Sequence, residues 1–138
     1  MIALTRCYRF PAAHVLSHPD LDGVENERVY GKCANPAGHG HDYGLEVTVT
    51  GPVDPVSGQL IDRDALDALV SVRVLDRFGY RLLNEDSAFA GRVPTAENVA
   101  AVIFDALADV VEERTGARLA RVGLRETRKN SFEYGELR

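Results

Sequence analysis

A thiol and two imidazoles fall close together in Gly31-Lys32-Cys33-Ala34-Asn35-Pro36-Ala37-Gly38-His39-Gly40-His41-Asp42-Tyr43, a run with little hydrophobic bulk. If His39-Gly40-His41 enters a strand, the period of two puts both rings on one face, within reach of a single ion. Glycine between them keeps the backbone uncrowded. Neutral imidazole is a common zinc ligand, and a catalytic zinc takes three protein ligands and keeps one position open. The third ligand must come from elsewhere. The other two of the four histidines, His14 and His18, lie upstream.

Strands are the elements that would aim these rings. Ile2, Leu4, Tyr8, Phe10, Ala12 and His14 share one parity, so His14 falls on an apolar face. Pro11 in that run demands an edge strand or a bulge, because it cannot donate to a ladder. Leu45, Val47 and Val49 alternate with Glu46, Thr48 and Thr50, and His39, His41 and Tyr43 keep the apolar parity. Imidazoles pointing inward are costly without a partner, and a metal would supply one. Ser17 to Tyr30 is polar and acidic and reads as a long loop, with His18 in it as a spare base or a bystander. Gly51 to Gly58 is dense in turn residues, and Gln59 to Ile61 reads as a short returning strand.

Two helices follow. Leu66, Val70, Val74 and Phe78 recur at four-residue spacing after Asp62, and Gly79 stops that helix near Arg77 or Phe78. Gly79 to Gly91 reads as a connecting loop. Thr95 caps the second helix, with Glu97 in its first turn, an apolar stripe from Val99 to Val111, and Gly116 at its end. Period two then returns in Ala120, Val122 and Leu124, so Glu126 inherits the inward parity at a strand end. It either twists out to solvent or accepts from the ring N–H groups of a bound heterocycle. Phe132 and Tyr134 mark a final short strand. The reading is one α+β domain, an antiparallel sheet carrying two helices on one face.

The 138 residues suffice for one core without staples. A net charge of −5 argues against a nucleic-acid partner, which wants a basic face, and no apolar run reaches membrane-spanning length. Met1 to Arg6 lacks the pattern of a signal peptide, so a cytoplasmic protein with Cys7 and Cys33 as free thiols is expected.

Phe10-Pro11-Ala12-Ala13-His14, Tyr30-Gly31-Lys32-Cys33, Gly38-His39-Gly40-His41-Asp42-Tyr43, Pro94-Thr95-Ala96-Glu97-Asn98 and Arg125-Glu126-Thr127 together resemble the 6-pyruvoyl-tetrahydropterin synthase family, which includes 6-carboxytetrahydropterin synthases. The resemblance spans nearly the whole chain in order, and the gap from Cys33 to His39 is more like the pyruvoyl enzymes. It implies the tunnelling fold: a four-stranded antiparallel sheet with two helices, extended into a barrel by trimers that stack as hexamers. It also implies zinc (Zn2+) on His14, His39 and His41, Cys33 as catalytic base, and a pterin bound by Glu126 with Thr95 and Glu97 nearby. The substrate implied is 7,8-dihydroneopterin triphosphate, which loses triphosphate by elimination while proton shifts give a 6-substituted tetrahydropterin.

One departure stands out. The family's Asp-His relay after the first helix is matched here by Asp76-Arg77, and the segment before Leu83-Asn84 is longer than usual. Arginine cannot act as a general acid or base. Arg77 would hold Cys33 as thiolate, grip phosphate or carboxylate, or end the helix in a salt bridge. Nearby zinc and cations are expected to lower the Cys33 pKa. Besides the lyase, the residues allow a same-fold zinc enzyme with diverged chemistry, or a pterin-binding homologue without turnover.

Overall fold

The computed structural model describes residues 1–136. Four antiparallel strands lie side by side in chain order: β1 (Ile2–His14), β2 (His39–Gly51), β3 (Arg118–Arg125) and β4 (Ser131–Gly135). β1 and β2 pair along their whole length, from Ile2 opposite Gly51 to His14 opposite His39, with no shift of register. Pro11 sits in β1 without a bulge because β1 is an edge strand. The Pro11 carbonyl accepts from Tyr80 N–H on the outer side, where its own N–H would have pointed.

The alternation in the sequence becomes an inner and an outer face. Phe10, Ala12, His14, Tyr43, Leu45, Val47 and Val49 are all buried. Against them pack α2 (residues 63–78) and α3 (Ala96–Thr115), joined with the sheet in one core. Asp62 caps α2 by accepting from the N–H groups of Asp64 and Ala65. That helix passes through a π turn at Ser71–Leu75, yet Leu66, Val70, Val74 and Phe78 stay fully buried along one stripe. Gly79 ends it, and a Cβ there would lie 2.5 Å from the Leu75 carbonyl oxygen. Thr95 Oγ1 accepts from Asn98 N–H to open α3, and Gly116 closes it with φ of 75°.

Three expectations need correction. The stretch read as a loop contains α1 (Gly23–Tyr30), capped by Asp22, whose carboxylate accepts from Glu25 N–H at 2.8 Å. α1 buries no residue, so it has no apolar stripe to betray it. Gln59 to Ile61 form no strand. β2 already has β1 on one side and β3 on the other, so a returning strand finds no vacant edge. The loop from Gly79 to Gly91 holds two 3-10 turns, Leu83–Glu85 and Ser87–Phe89, each burying one apolar side chain. Among the described residues no helix is long and apolar enough to cross a membrane.

Candidate active site

The site forms where β1 ends and β2 begins. Their pairing sets His14 opposite His39, and His41 follows two residues on, opposite Ala12. The chain between His14 and His39 leaves the sheet and comes back. Leu16 N–H donates to the Cys33 carbonyl at 2.7 Å, holding the 3-10 turn Gly31–Ala34 beside the end of β1. Cys33 Sγ thereby lies 3.2 Å from His14 Nε2 and 3.8 Å from His41 Nε2, and the two Nε2 atoms are 3.1 Å apart.

His14 is fully buried and its orientation is fixed from behind. Its Nδ1 lies 3.0 Å from the Pro94 carbonyl oxygen and 3.2 Å from the Tyr43 hydroxyl. A carbonyl only accepts, so the ring proton sits on Nδ1 and the Nε2 lone pair faces His41 and Cys33. Burial, opposed by the Pro94 carbonyl and reinforced by His39, lowers the His14 pKa. Burial and the charges of His14 and His39 take His41 down to about 4. Both rings are therefore neutral near pH 7, the state a metal needs.

Ligand atoms of His14, Cys33 and His41 all lie within 4.8 Å of one another, a group able to hold a metal ion. Tetrahedral zinc would space two nitrogens about 3.3 Å apart and a sulfur and nitrogen about 3.6 Å apart. The observed 3.1, 3.2 and 3.8 Å fit that cradle. His39 stands outside this triangle but beside it, its ring centroid 4.6 Å from that of His41. It makes no side-chain hydrogen bond among the described residues.

Carboxylates close the other side. Glu126, half-buried, follows the last residue of β3, and its N–H donates to the Asn130 carbonyl at 3.2 Å. Burial and then the charge of exposed Glu97 raise its pKa, while His39 pulls the other way. Thr95 is half-buried at the head of α3, with its oxygen used as the cap. The Cys33 thiol is pushed up, first by burial and then by Glu126. In the metal-free chain the nearby charge is a carboxylate, not Arg77.

Arg77 is engaged elsewhere. Its Nε and Nη2 donate to the two Asp86 oxygens at 2.9 and 2.8 Å, and its guanidinium lies 4.7 Å over the Phe78 ring. Arg77 in turn holds the Asp86 pKa below the usual carboxylate range. Of the roles open to it, the structure gives Arg77 the salt-bridged helix end. Asp76 sits beside it at the start of the last turn of α2. His18 is a loop residue: its Nδ1 accepts from Asp20 N–H, and its own N–H donates to Asn26. The sequence reading missed Tyr43 and the Pro94 carbonyl as the groups that orient His14. Tyr43 carried a signal, since it shares the parity of His39 and His41.

The family model for 6-pyruvoyl tetrahydropterin synthase matches residues 3–136. The Homo sapiens 6-pyruvoyl tetrahydrobiopterin synthase is 35% identical over 132 residues, covering 95% of this chain and 89% of that one. The Drosophila melanogaster enzyme of the same name is also 35% identical, over 95% of this chain and 77% of its own. Among solved structures, 6-pyruvoyl tetrahydropterin synthase of Caenorhabditis elegans superposes with a TM-score of 0.87 at 36% identity, over 99% of this chain and 96% of that one. The sheet, helices and site thus sit on a tunnelling fold, and the chain belongs to the 6-pyruvoyl tetrahydropterin synthase family of lyases.

Proposed function

We propose that this chain is a zinc-dependent lyase that takes 7,8-dihydroneopterin triphosphate to a 6-substituted tetrahydropterin. The observation that supports it most is the convergence of Cys33 Sγ with His14 and His41 Nε2, beside the partly buried Glu126. Zinc would be held by His14 and His41, with His39, whose ring lies beside His41, turning in as third ligand in place of Cys33. Leaving Cys33 out of the donor set keeps its lone pair for proton abstraction. When bound, the metal supplies Lewis-acid stabilisation of charge developing on the substrate side chain. Cys33 removes a carbon-bound proton, and triphosphate departs by elimination. Glu126 accepts from ring N–H groups, with Thr95 and Glu97 framing the same wall at the head of α3. Pro94 and Tyr43 keep His14 from turning.

The outer edge of β1 from Ile2 to Arg9 and that of β4 carry no further strand among the described residues. Unpaired edges are templates for other chains, which supports a trimer or a dimer of trimers closing the sheet into a barrel. The two free thiols suit the cytoplasm.

Cobalt-loaded protein tests the assignment. The expected spectrum lacks a sulfur-to-metal charge-transfer band. Cys33→Ala keeps its metal while kcat falls roughly 10²- to 10⁴-fold. Wild-type protein that releases no triphosphate from the dihydropterin overturns the reading. The engagement of Arg77 by Asp86 favours one second reading, diverged chemistry on another heterocycle, because the relay pair Asp76-Arg77 then carries no proton. Turnover of a non-pterin heterocycle with the pterin inert would establish it.

A further inference from the structure

The chain that follows α2 does more than connect. Residues 80–84 lie along the outer edge of β1, beside the point where the excursion carrying Cys33 begins. Tyr80 N–H donates to the Pro11 carbonyl at 2.6 Å, Ala13 N–H donates to the Arg81 carbonyl at 2.9 Å, and Leu82 bridges Ala13 in parallel. Tyr80 takes φ of 59° to keep this pairing, a conformation that a bulky residue holds only where its surroundings impose it. The backbone then turns away at Leu83, which is buried and anchors the strap in the core.

The next rung is made by a side chain. Asn84 Oδ1 accepts from Val15 N–H and Asn84 Nδ2 donates to the Val15 carbonyl, both at 2.8 Å. Val15 lies one residue past the end of β1, between buried His14 and buried Leu16, and Leu16 N–H donates to the Cys33 carbonyl at 2.7 Å. Across the neck of the excursion, a Cβ built on Gly38 would lie 3.8 Å from Leu82 Cδ1. The strap therefore meets the excursion both where it leaves the sheet and where it returns. A carboxamide offers an acceptor and a donor together, whereas a carboxylate would set a second oxygen against the Val15 carbonyl. Asn84 is exposed, so its pairing acts on the excursion rather than on the core.

We propose that Asn84 is a positioning residue, an inference resting on the lyase reading above: by pairing with both backbone groups of Val15 it fixes how closely Cys33 approaches His14 and His41. Cys33 Sγ lies 3.2 and 3.8 Å from their Nε2 atoms, and a base takes a carbon-bound proton only when held at the right reach. Freed from Asn84, Val15 explores other backbone angles, the Leu16 bond to Cys33 loosens, and the thiol drifts from the cluster. Asn84 acts only through Val15 and Leu16.

Asn84→Ala is expected to lower kcat roughly 10- to 100-fold with KM little changed, because a small misplacement of a reacting group is felt in the chemical step. Asn84→Asp, which keeps the acceptor alone, should fall between Asn84→Ala and wild type. Two further readouts need no turnover. In Asn84→Ala the Leu16 amide should exchange about tenfold faster, while the amides within β1 and the Tm stay near wild type. In a Cys7→Ser background, iodoacetamide should alkylate Cys33 several-fold faster once Asn84→Ala is added. Wild-type kcat in Asn84→Ala, or an unchanged Leu16 amide, overturns the proposal. So does a large fall in Tm with faster exchange along all of β1, since Asn84 would then be a strut of the sheet. A wild type inert toward the dihydropterin would instead sink the lyase reading, and Leu16 exchange and Cys33 alkylation would still report whether Asn84 holds the cysteine in place.

Discussion

At the scale of single residues, His14 is aimed by groups that lie behind it. Tyr43 is fully buried, and its hydroxyl shares His14 Nδ1 with the Pro94 carbonyl. Outer contacts of this kind fix ring orientation and typically carry about 10- to 100-fold in metal affinity. Tyr43→Phe should therefore lose zinc to a competing chelator about tenfold more readily than wild type. Its fold should be intact, because the Phe10–Tyr43 ring stack survives the change. A chelator titration followed by circular dichroism checks both halves. The convergence of His14 and His41 was legible because strand parity put both on the inner face. The direction of the Cys33 shift was not, since it comes first from burial and then from Glu126, both of which only the fold supplies.

At the scale of elements, periodicity carried most of the information. β1, β2, β3 and the two packed helices bury apolar side chains at regular spacing, so each left a pattern in the sequence. α1 did not. It is held by the Asp22 cap and by the Glu25–Arg28 pair, with Val24 and Val29 left exposed. A helix without a buried face depends on its ends, and losing an aspartate cap costs about 1 kcal/mol. Asp22→Ala should accelerate amide exchange across Gly23–Tyr30 while the Tm of the whole domain moves little. A large drop in Tm would mean that α1 is part of the cooperative core. The false strand at Gln59–Ile61 has a different origin. A turn signal says where a chain reverses, but only the completed sheet says whether an edge is open to receive it.

At the scale of the whole molecule, the site is bound up with stability. His14 and His41 are neutral in the folded metal-free chain, with pKa values below the ordinary histidine value, His41 at about 4. Above about pH 6.5 both are neutral in folded and unfolded chains alike, so they contribute no pH dependence. Between there and about pH 4 the unfolded chain takes up protons that the folded one refuses. The Tm of metal-free protein should fall steadily across that window. His41→Gln should flatten the slope, and calorimetry at stepped pH measures it. The full-length register of β1 with β2 also divides the chain into two kinds of territory. A residue gained or lost in the excursion between His14 and His39 changes the length of a tether. One gained or lost inside β2 after His41 turns both its imidazoles outward in a single step. An inserted residue is thus absorbed in the excursion but not in the paired ladder, and the two regimes meet at the two histidines that face each other across its end.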